Sequence, residues 1–384
     1  MDKEKMPQEI RARVERSEKS QDRIRGCLLG GAIGDALGYP VEFMYIDRIH
    51  AKYGDCGITE YEKDPASNLA LFSDDTQMSL FTANGLLYGQ TLSILQGKAE
   101  PPRYYVYLAY LDWLETQRGT EHGSVGGICW LSDIKDLWSC RAPGGTCLDA
   151  LSSGERGSTE YRINHSKGCG GVMRVAPVGL FLRDQDDMAV ATEGAEIAAL
   201  THSHSLGFMP AAFLAQVIKN AVNGDGQVKL TDLIDKSKET ISAIFAQRKH
   251  LEVFINLIDR AVALAGNDSS DEDNIAAIGA GWCGDEALAI SLYAALRHEG
   301  DFSSAIIAAV NHSGDSDSTG AITGNIVGAM VGYSAIEEKW KADLELRDVL
   351  LEMADDLCFG CLIDPKTGYE DETWRSKYVR DAKE

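Results

Sequence analysis

No apolar run in this 384-residue chain approaches the length needed to cross a bilayer. Its first residues, MDKEKMPQEIRARVERSEKSQDRIRG, lack the apolar core of a secretion signal. Basic residues are scarce beside acidic ones, 37 Lys and Arg against 59 Asp and Glu, for a formal charge of −22. That balance argues against a nucleic-acid backbone or an anionic membrane as the main partner. Nine cysteines form an odd count with no paired framework, which suits a reducing cytosol and predicts a cytoplasmic protein. Cys358 and Cys361 have CxxC spacing but no second ligand pair, so a packed pair of thiols is expected there rather than zinc. Also missing are any sustained strand-like alternation, an internal repeat, and a linker inside residues 24–360.

Helical periodicity is present instead. It predicts helices at 76–89, 102–117, 187–201, 207–223, 230–247, 251–265, 284–298, 302–312, 320–336 and 345–357, hence an all-α fold. With 44% hydrophobic residues the chain can bury a large core. The first core element, from Ile24 to Gly38, alternates small and aliphatic residues, as a buried helix approached closely by others would. Its one charge in the stretch from Cys27 onward, Asp35, needs partners if buried and reads as a hydrogen-bond hub. Residues 1–23 are charged and of mixed sign, and read as an exposed helix or a flexible arm outside the core, either a solvated extension or an arm that docks on a partner or on the chain's own site. Residues 361–384 form a second charged tail, and Asn267–Asn274 reads as an acidic solvent loop.

Two loops carry the chemistry. Gly314–Gly320 (GDSDSTG) places Asp315 and Asp317 two residues apart among hydroxyls, ahead of the small, apolar run Ala321–Gly332. Ser73-Asp74-Asp75-Thr76 brings two adjacent carboxylates, which repel each other unless a cation or hydrogen bonds offset the repulsion. Apart, each loop reads equally well as a capped helix start. Together they would supply four carboxylates and two hydroxyls, enough hard oxygen for two divalent ions. The glycine-rich run Lys167–Gly171 can expose backbone N–H groups to an anion, although no Gly-Lys-Ser/Thr makes it a Walker A loop. Thr201–His204 reads as a helix end, and Trp282 as an aromatic platform or a core plug.

Five stretches in order carry a resemblance: GxxxGDALGxxxE (Gly30 to Glu42), SDDTQM (Ser73 to Met78), KGCGGVMRVAPVG (Lys167 to Gly179), ALTHSH (Ala199 to His204) and HSGDSDSTGAITGNI (His312 to Ile326). Over residues 24–360 the chain resembles the ADP-ribosylglycohydrolase family. The resemblance implies a single compact helical domain with a binuclear Mg²⁺ or Mn²⁺ centre in a cleft. It further implies that Ser73, Asp74, Asp75, Asp315, Asp317 and Ser318 hold the metals. Ser73 stands where many relatives carry Thr, which keeps the hydroxyl. Asp74 and Asp317 would serve catalysis beside Glu42, placed near the ribose as acid, base or gate. Lys167, Gly168, Cys169, Gly170, Gly171 and Met173 would hold the diphosphate, with His202 and Trp282 lining the ADP-ribose cleft. The implied activity is hydrolysis of the bond between ADP-ribose and a protein side chain, foremost arginine. The substrate partner is then an ADP-ribosylated protein. Alternatives are serine-linked or free ADP-ribose derivatives, a two-metal phosphohydrolase, or an immunity protein whose N-terminal extension blocks a cognate ADP-ribosyltransferase.

Overall fold

The computed structural model of the chain describes residues 3–98, 100–119, 127–224 and 228–380. Its helices run in the order α1 (Gln8–Gly38), α2 (Ile46–Tyr53), α3 (Asp74–Gln96), α4 (Pro102–Arg118), α5 (Gly145–Ser153) and α6 (Ala176–Phe181). Then come α7 (Asp187–Ala199), α8 (Ser205–Asn223), α9 (Leu230–Ile244), α10 (Leu251–Ala265), α11 (Asp271–Ile278) and α12 (Gly284–Arg297). The last are α13 (Phe302–Val310), α14 (Ser316–Val331), α15 (Glu338–Lys341), α16 (Arg347–Phe359) and α17 (Glu372–Tyr378). Among the described residues the only sheet is one two-residue hairpin, β1 (Ile363–Asp364) antiparallel to β2 (Tyr369–Glu370). The all-α expectation holds. No helix among them is long and apolar enough to cross a membrane.

The central pair is α1 against α14, antiparallel and in backbone contact. Gly26, Gly30, Gly34 and Gly38 recur every four residues and so share one stripe of α1. They face Gly328, Gly324, Gly320 and Ser316 in that order. A Cβ on Gly34 would overlap the carbonyl of Gly320, and a Cβ on Gly324 would overlap that of Gly30. Only glycine lets the two axes come this close. The consequence for function is geometric: the C-terminus of α1 is brought to the N-terminus of α14.

Asp35, fully buried near that end of α1, fixes the third element. It accepts hydrogen bonds from the backbone N–H of Ser73 at 2.8 Å, from that of Thr76 at 3.0 Å and from the Thr76 hydroxyl at 2.5 Å. The predicted hub is therefore the latch that holds the start of α3 against the end of α1. Burial, with Asp317 nearby adding repulsion, pushes the Asp35 carboxyl up to about 7.

Three segments differ from expectation. Residues 8–23 are no detached arm but the first half of α1, with Ile10 and Val14 in the hydrophobic core. Arg13 donates to the carbonyls of Phe359, at 3.0 Å, and of Cys361. An amphipathic stripe spaced at four residues inside a highly charged stretch is what composition alone concealed. The C-terminal tail also docks in part: Trp374 and Tyr378 are buried, and the Tyr378 hydroxyl donates to Asp356 at 2.7 Å. The acidic run at 267–274 is half helix, because Ser270 caps α11 by accepting from the Asp273 N–H at 3.1 Å, and acids in a first turn suit the helix dipole. All nine cysteines are free, Cys358 and Cys361 both buried.

Candidate active site

The starts of α3 and α14 and the turn after α1 converge on a cleft of about 310 Å³. Ser73 caps α3, its hydroxyl accepting from the Asp75 N–H at 3.2 Å. Asp315 caps α14, accepting from the Ser318 N–H at 3.4 Å, and Asp317 accepts from the same N–H at 2.9 Å. All four aspartates are nearly inaccessible to solvent yet line the cleft. Glu42 follows in the turn beyond α1, its backbone N–H bonded to the Gly38 carbonyl at 3.0 Å. Carboxylate oxygens of Glu42, Asp315 and Asp317 lie within 4.8 Å of one another.

So many acids in so little water oppose ionisation. Burial raises the carboxyls of Asp74, Asp75 and Asp315 well above the carboxylate range, and the charge of Asp317 raises each further. Glu42 is pushed up to about 10, by burial first and then by Asp317, Asp315 and Asp74. Two arginines in this region are committed elsewhere: half-buried Arg141 to Glu345, and buried Arg174 to Thr201 and the Tyr110 ring. Oδ2 of Asp75 is buried with no hydrogen-bond partner among the described residues. An orphaned carboxylate oxygen inside a ring of hard oxygen donors, with no ammonium or guanidinium paired to it, fits a divalent cation. The residues present therefore suit the metal centre that the sequence implied.

The opposite wall is the glycine loop. Gly168, Cys169, Gly170 and Met173 line the cleft, and the Cys169 thiol donates to Asp315 at 2.7 Å. The loop is anchored to residues 282–284: the Cys169 N–H donates to the Trp282 carbonyl at 3.2 Å and the Gly284 N–H to the Lys167 carbonyl at 2.8 Å. His202 packs beneath it, buried, with Nδ1 2.9 Å from the Thr201 hydroxyl. Burial, then the charge of Arg174, holds this imidazole neutral by pulling it down to about 3. His204 instead caps α8 through Nδ1, which accepts the Leu206 N–H at 3.1 Å.

Twelve of the expected site residues thus meet around one space: Glu42, Asp74, Asp75, Gly168, Cys169, Gly170, Met173, His202, Trp282, Asp315, Asp317 and Ser318. Three do not line it. Ser73 lies behind as a helix cap, Gly171 is packed under the Gly207 carbonyl, and Lys167 is exposed with Cys283 as its electrostatic neighbour. Two features lie outside the expected site residues. Phe43, exposed and at φ 63°, stacks on Trp282 with ring centroids 5.2 Å apart, forming an aromatic edge to the cleft. The N-terminus of α5, at Gly144, Gly145 and Thr146, also faces in, without a side-chain cap. The glycine pair was the available signal for α5; a single phenylalanine after a proline turn gave none.

Comparison with known proteins bears on the family and the fold. The sequence model of the ADP-ribosylglycohydrolase family, described as ADP-ribosylglycohydrolase, matches residues 16–363. The chain is 27% identical over 340 residues to the uncharacterized protein YegU of Escherichia coli (strain K12), covering 84% of this chain and 92% of that one. It is 27% identical over 348 residues to ADP-ribosylarginine hydrolase Tri1 of Pseudomonas putida (strain GB-1), covering 88% and 79%. Among solved structures it shares the fold of an ADP-ribosylglycohydrolase-related protein complex, with a TM-score of 0.58 at 23% identity over 89% of this chain and 98% of that one.

Proposed function

The chain belongs to the ADP-ribosylglycohydrolase family of enzymes, and from that premise we propose that it removes ADP-ribose from modified arginine side chains of proteins. The acceptor follows the similarity to the Tri1 arginine hydrolase. One observation carries the chemistry: four buried aspartates and Glu42 around a cleft, with no paired cation and with Asp75 Oδ2 unpartnered. Asp74, Asp75, Asp315, Asp317 and Ser318, with Ser73 behind them, would hold two Mg²⁺ ions, with Mn²⁺ as the alternative. Bound there, such ions supply Lewis acidity toward the ribose hydroxyls and water of lowered pKa.

The chain's own residues account for the rest. Scission of the glycosidic bond builds positive charge on the ribose ring, and a carboxylate-lined cleft favours that charge. Glu42, half-buried beside Asp315 and Asp317, would exchange a proton with the leaving nitrogen. The anionic diphosphate needs donors away from the acids. Gly170 of the glycine loop and Gly145 and Thr146 at the uncapped start of α5 line the cleft and would offer backbone N–H groups to it. Neutral His202 supports that loop without adding charge, and the Phe43–Trp282 pair offers a flat apolar edge for the adenine.

The test pairs activity with binding. Metal-loaded protein should release intact ADP-ribose from arginine-ADP-ribosylated substrate, and EDTA should stop it. Asp317→Asn should lose activity by a factor of 100 or more. It should also lose the thermal stabilisation by Mg²⁺, about 2.7 kcal/mol at a hundredfold excess over the dissociation constant. Without metal, the same variant should be more stable than the parent, because one repelling buried carboxylate is gone. Retained Mg²⁺ stabilisation in Asp317→Asn would remove the metal assignment. Release of phosphate or AMP instead of ADP-ribose would replace glycosidic by phosphoester chemistry.

A further inference from the structure

A second cavity, larger than the acidic cleft, lies among the described residues. About 630 Å³ in size, it lies at the other end of the molecule, between the first half of α1, the end of α6 with Arg183, and the end of α16. Among the described residues, Arg13, Arg16, Lys19, Arg23 and Arg183 line it together with two carboxylates, Asp22 and Asp184. In a chain of net charge −22 this is a local reversal of sign. Asp22 is already engaged, accepting from the backbone N–H and the hydroxyl of Ser334 at 3.0 and 2.6 Å.

The five cations have no carboxylate salt-bridge partner among the described residues. Three guanidiniums are instead held by carbonyls: Arg13 by Phe359 and Cys361, Arg183 by Leu180, Leu357 and Cys358, and Arg23 by Ala221 and Gly224. Carbonyl anchoring orients a guanidinium without neutralising it. Burial lowers the proton affinity of Arg13; Cys361 opposes this, and the neighbouring charges of Arg16 and Arg183 lower it further. Arg16 and Lys19 add two exposed charges at the rim. Ser17, Ser20 and Asn223 add neutral donors, and Phe181 and Phe359 an apolar floor.

We propose that this cavity is a binding site for a phosphate-bearing small molecule, separate from the catalytic cleft. The N–H groups that Arg13, Arg16 and Arg23 leave unbonded can meet phosphate oxygens, Arg183 adds its charge, and the volume is that of an ordinary small-molecule site. From Arg16 to Asp35 along α1 is 19 residues, roughly 28 Å of helix, so a ligand here does not touch substrate. The inference is independent of the reaction assigned to the acidic cleft.

Equilibrium binding of inorganic phosphate and of AMP to the full-length, Mg²⁺-loaded protein tests it, at low and at physiological salt. Binding should be measurable for at least one probe at low salt and should weaken as salt rises. The rim double variant Arg16→Glu/Lys19→Glu, which breaks no described hydrogen bond, should bind at least tenfold more weakly. Asp317→Asn should bind as the parent does. Binding lost in Asp317→Asn but kept in the rim variant would place the probe in the catalytic cleft and overturn the proposal. So would the absence of binding by either probe at low salt, or equal binding by parent and rim variant.

Discussion

His312 sits just before the second acidic loop, buried, with Nε2 2.9 Å from the Thr319 hydroxyl. Burial pulls its pKa down to about 4, against 6.5 for an ordinary imidazole. Below pH 6.5 the unfolded chain therefore takes up a proton that the folded chain refuses until about pH 4, and stability falls with pH across that window. The full difference is worth about 3 kcal/mol. With Mg²⁺ held constant, the loss of urea stability between pH 7 and pH 5 should be smaller in His312→Gln than in the parent. A variant that keeps the parent's whole pH slope would show that His312 titrates normally. At this scale the sequence was informative wherever chemistry needs a rare arrangement. Paired carboxylates in two loops, a lone Asp35 in an apolar run and a glycine-rich stretch are all costly unless used. Phe43 was illegible because its role comes from a neighbour, Trp282, 239 positions away in the sequence.

Among the elements, the α1–α14 pair decides whether the acids meet. Glu42 follows one helix and Asp315 and Asp317 open the other, so the helix contact sets how closely these acids approach. Backbone-to-backbone contact at Gly34 and Gly320 leaves no side chain that could rotate away. Gly34→Val should then cost about 3 kcal/mol or more, above the usual range for overpacking, because the helices must move apart. Metal affinity should fall with it, since Asp35 also positions Ser73 and Thr76. Circular-dichroism melts and Mg²⁺ titration of one preparation would read both. A variant that melts normally would mean the pair is not held at backbone contact. Helix positions were legible because 3.6-residue periodicity is local. The four-residue glycine stripe was visible as smallness, but its partner stripe on α14, nearly 300 residues on, was fixed only by packing.

On the scale of the whole molecule, the ends were misjudged for one reason: charge density hides a narrow apolar stripe. Ile10 and Val14 lie four apart on one face of α1, and Trp374 and Tyr378 lie four apart on one face of α17. Each pair is too short to register in a composition average, yet each is enough to dock a helix on an existing core. The N-terminal segment thereby lies far from the cleft. From Gln8 to Gly38 α1 spans about 45 Å, so these residues cannot cover their own active site without unwinding the helix. Removing residues 1–15 should therefore not raise activity, as removal of an inhibitory arm would. It strips Ile10 and Val14 from the core and deletes Arg13, exposing the carbonyls of Phe359 and Cys361. Two buried aliphatic side chains are worth about 1.5–3 kcal/mol each, so the truncated protein should be less stable by about 3 kcal/mol or more. At a temperature where both forms are folded, kcat on an arginine-ADP-ribosylated substrate should stay within about twofold of the parent. Denaturation midpoints and steady-state kinetics on the same two proteins separate the outcomes. Higher kcat with unchanged stability would restore the arm as a regulator, whereas lower stability with unchanged kcat makes it the distal end of the fold's central helix.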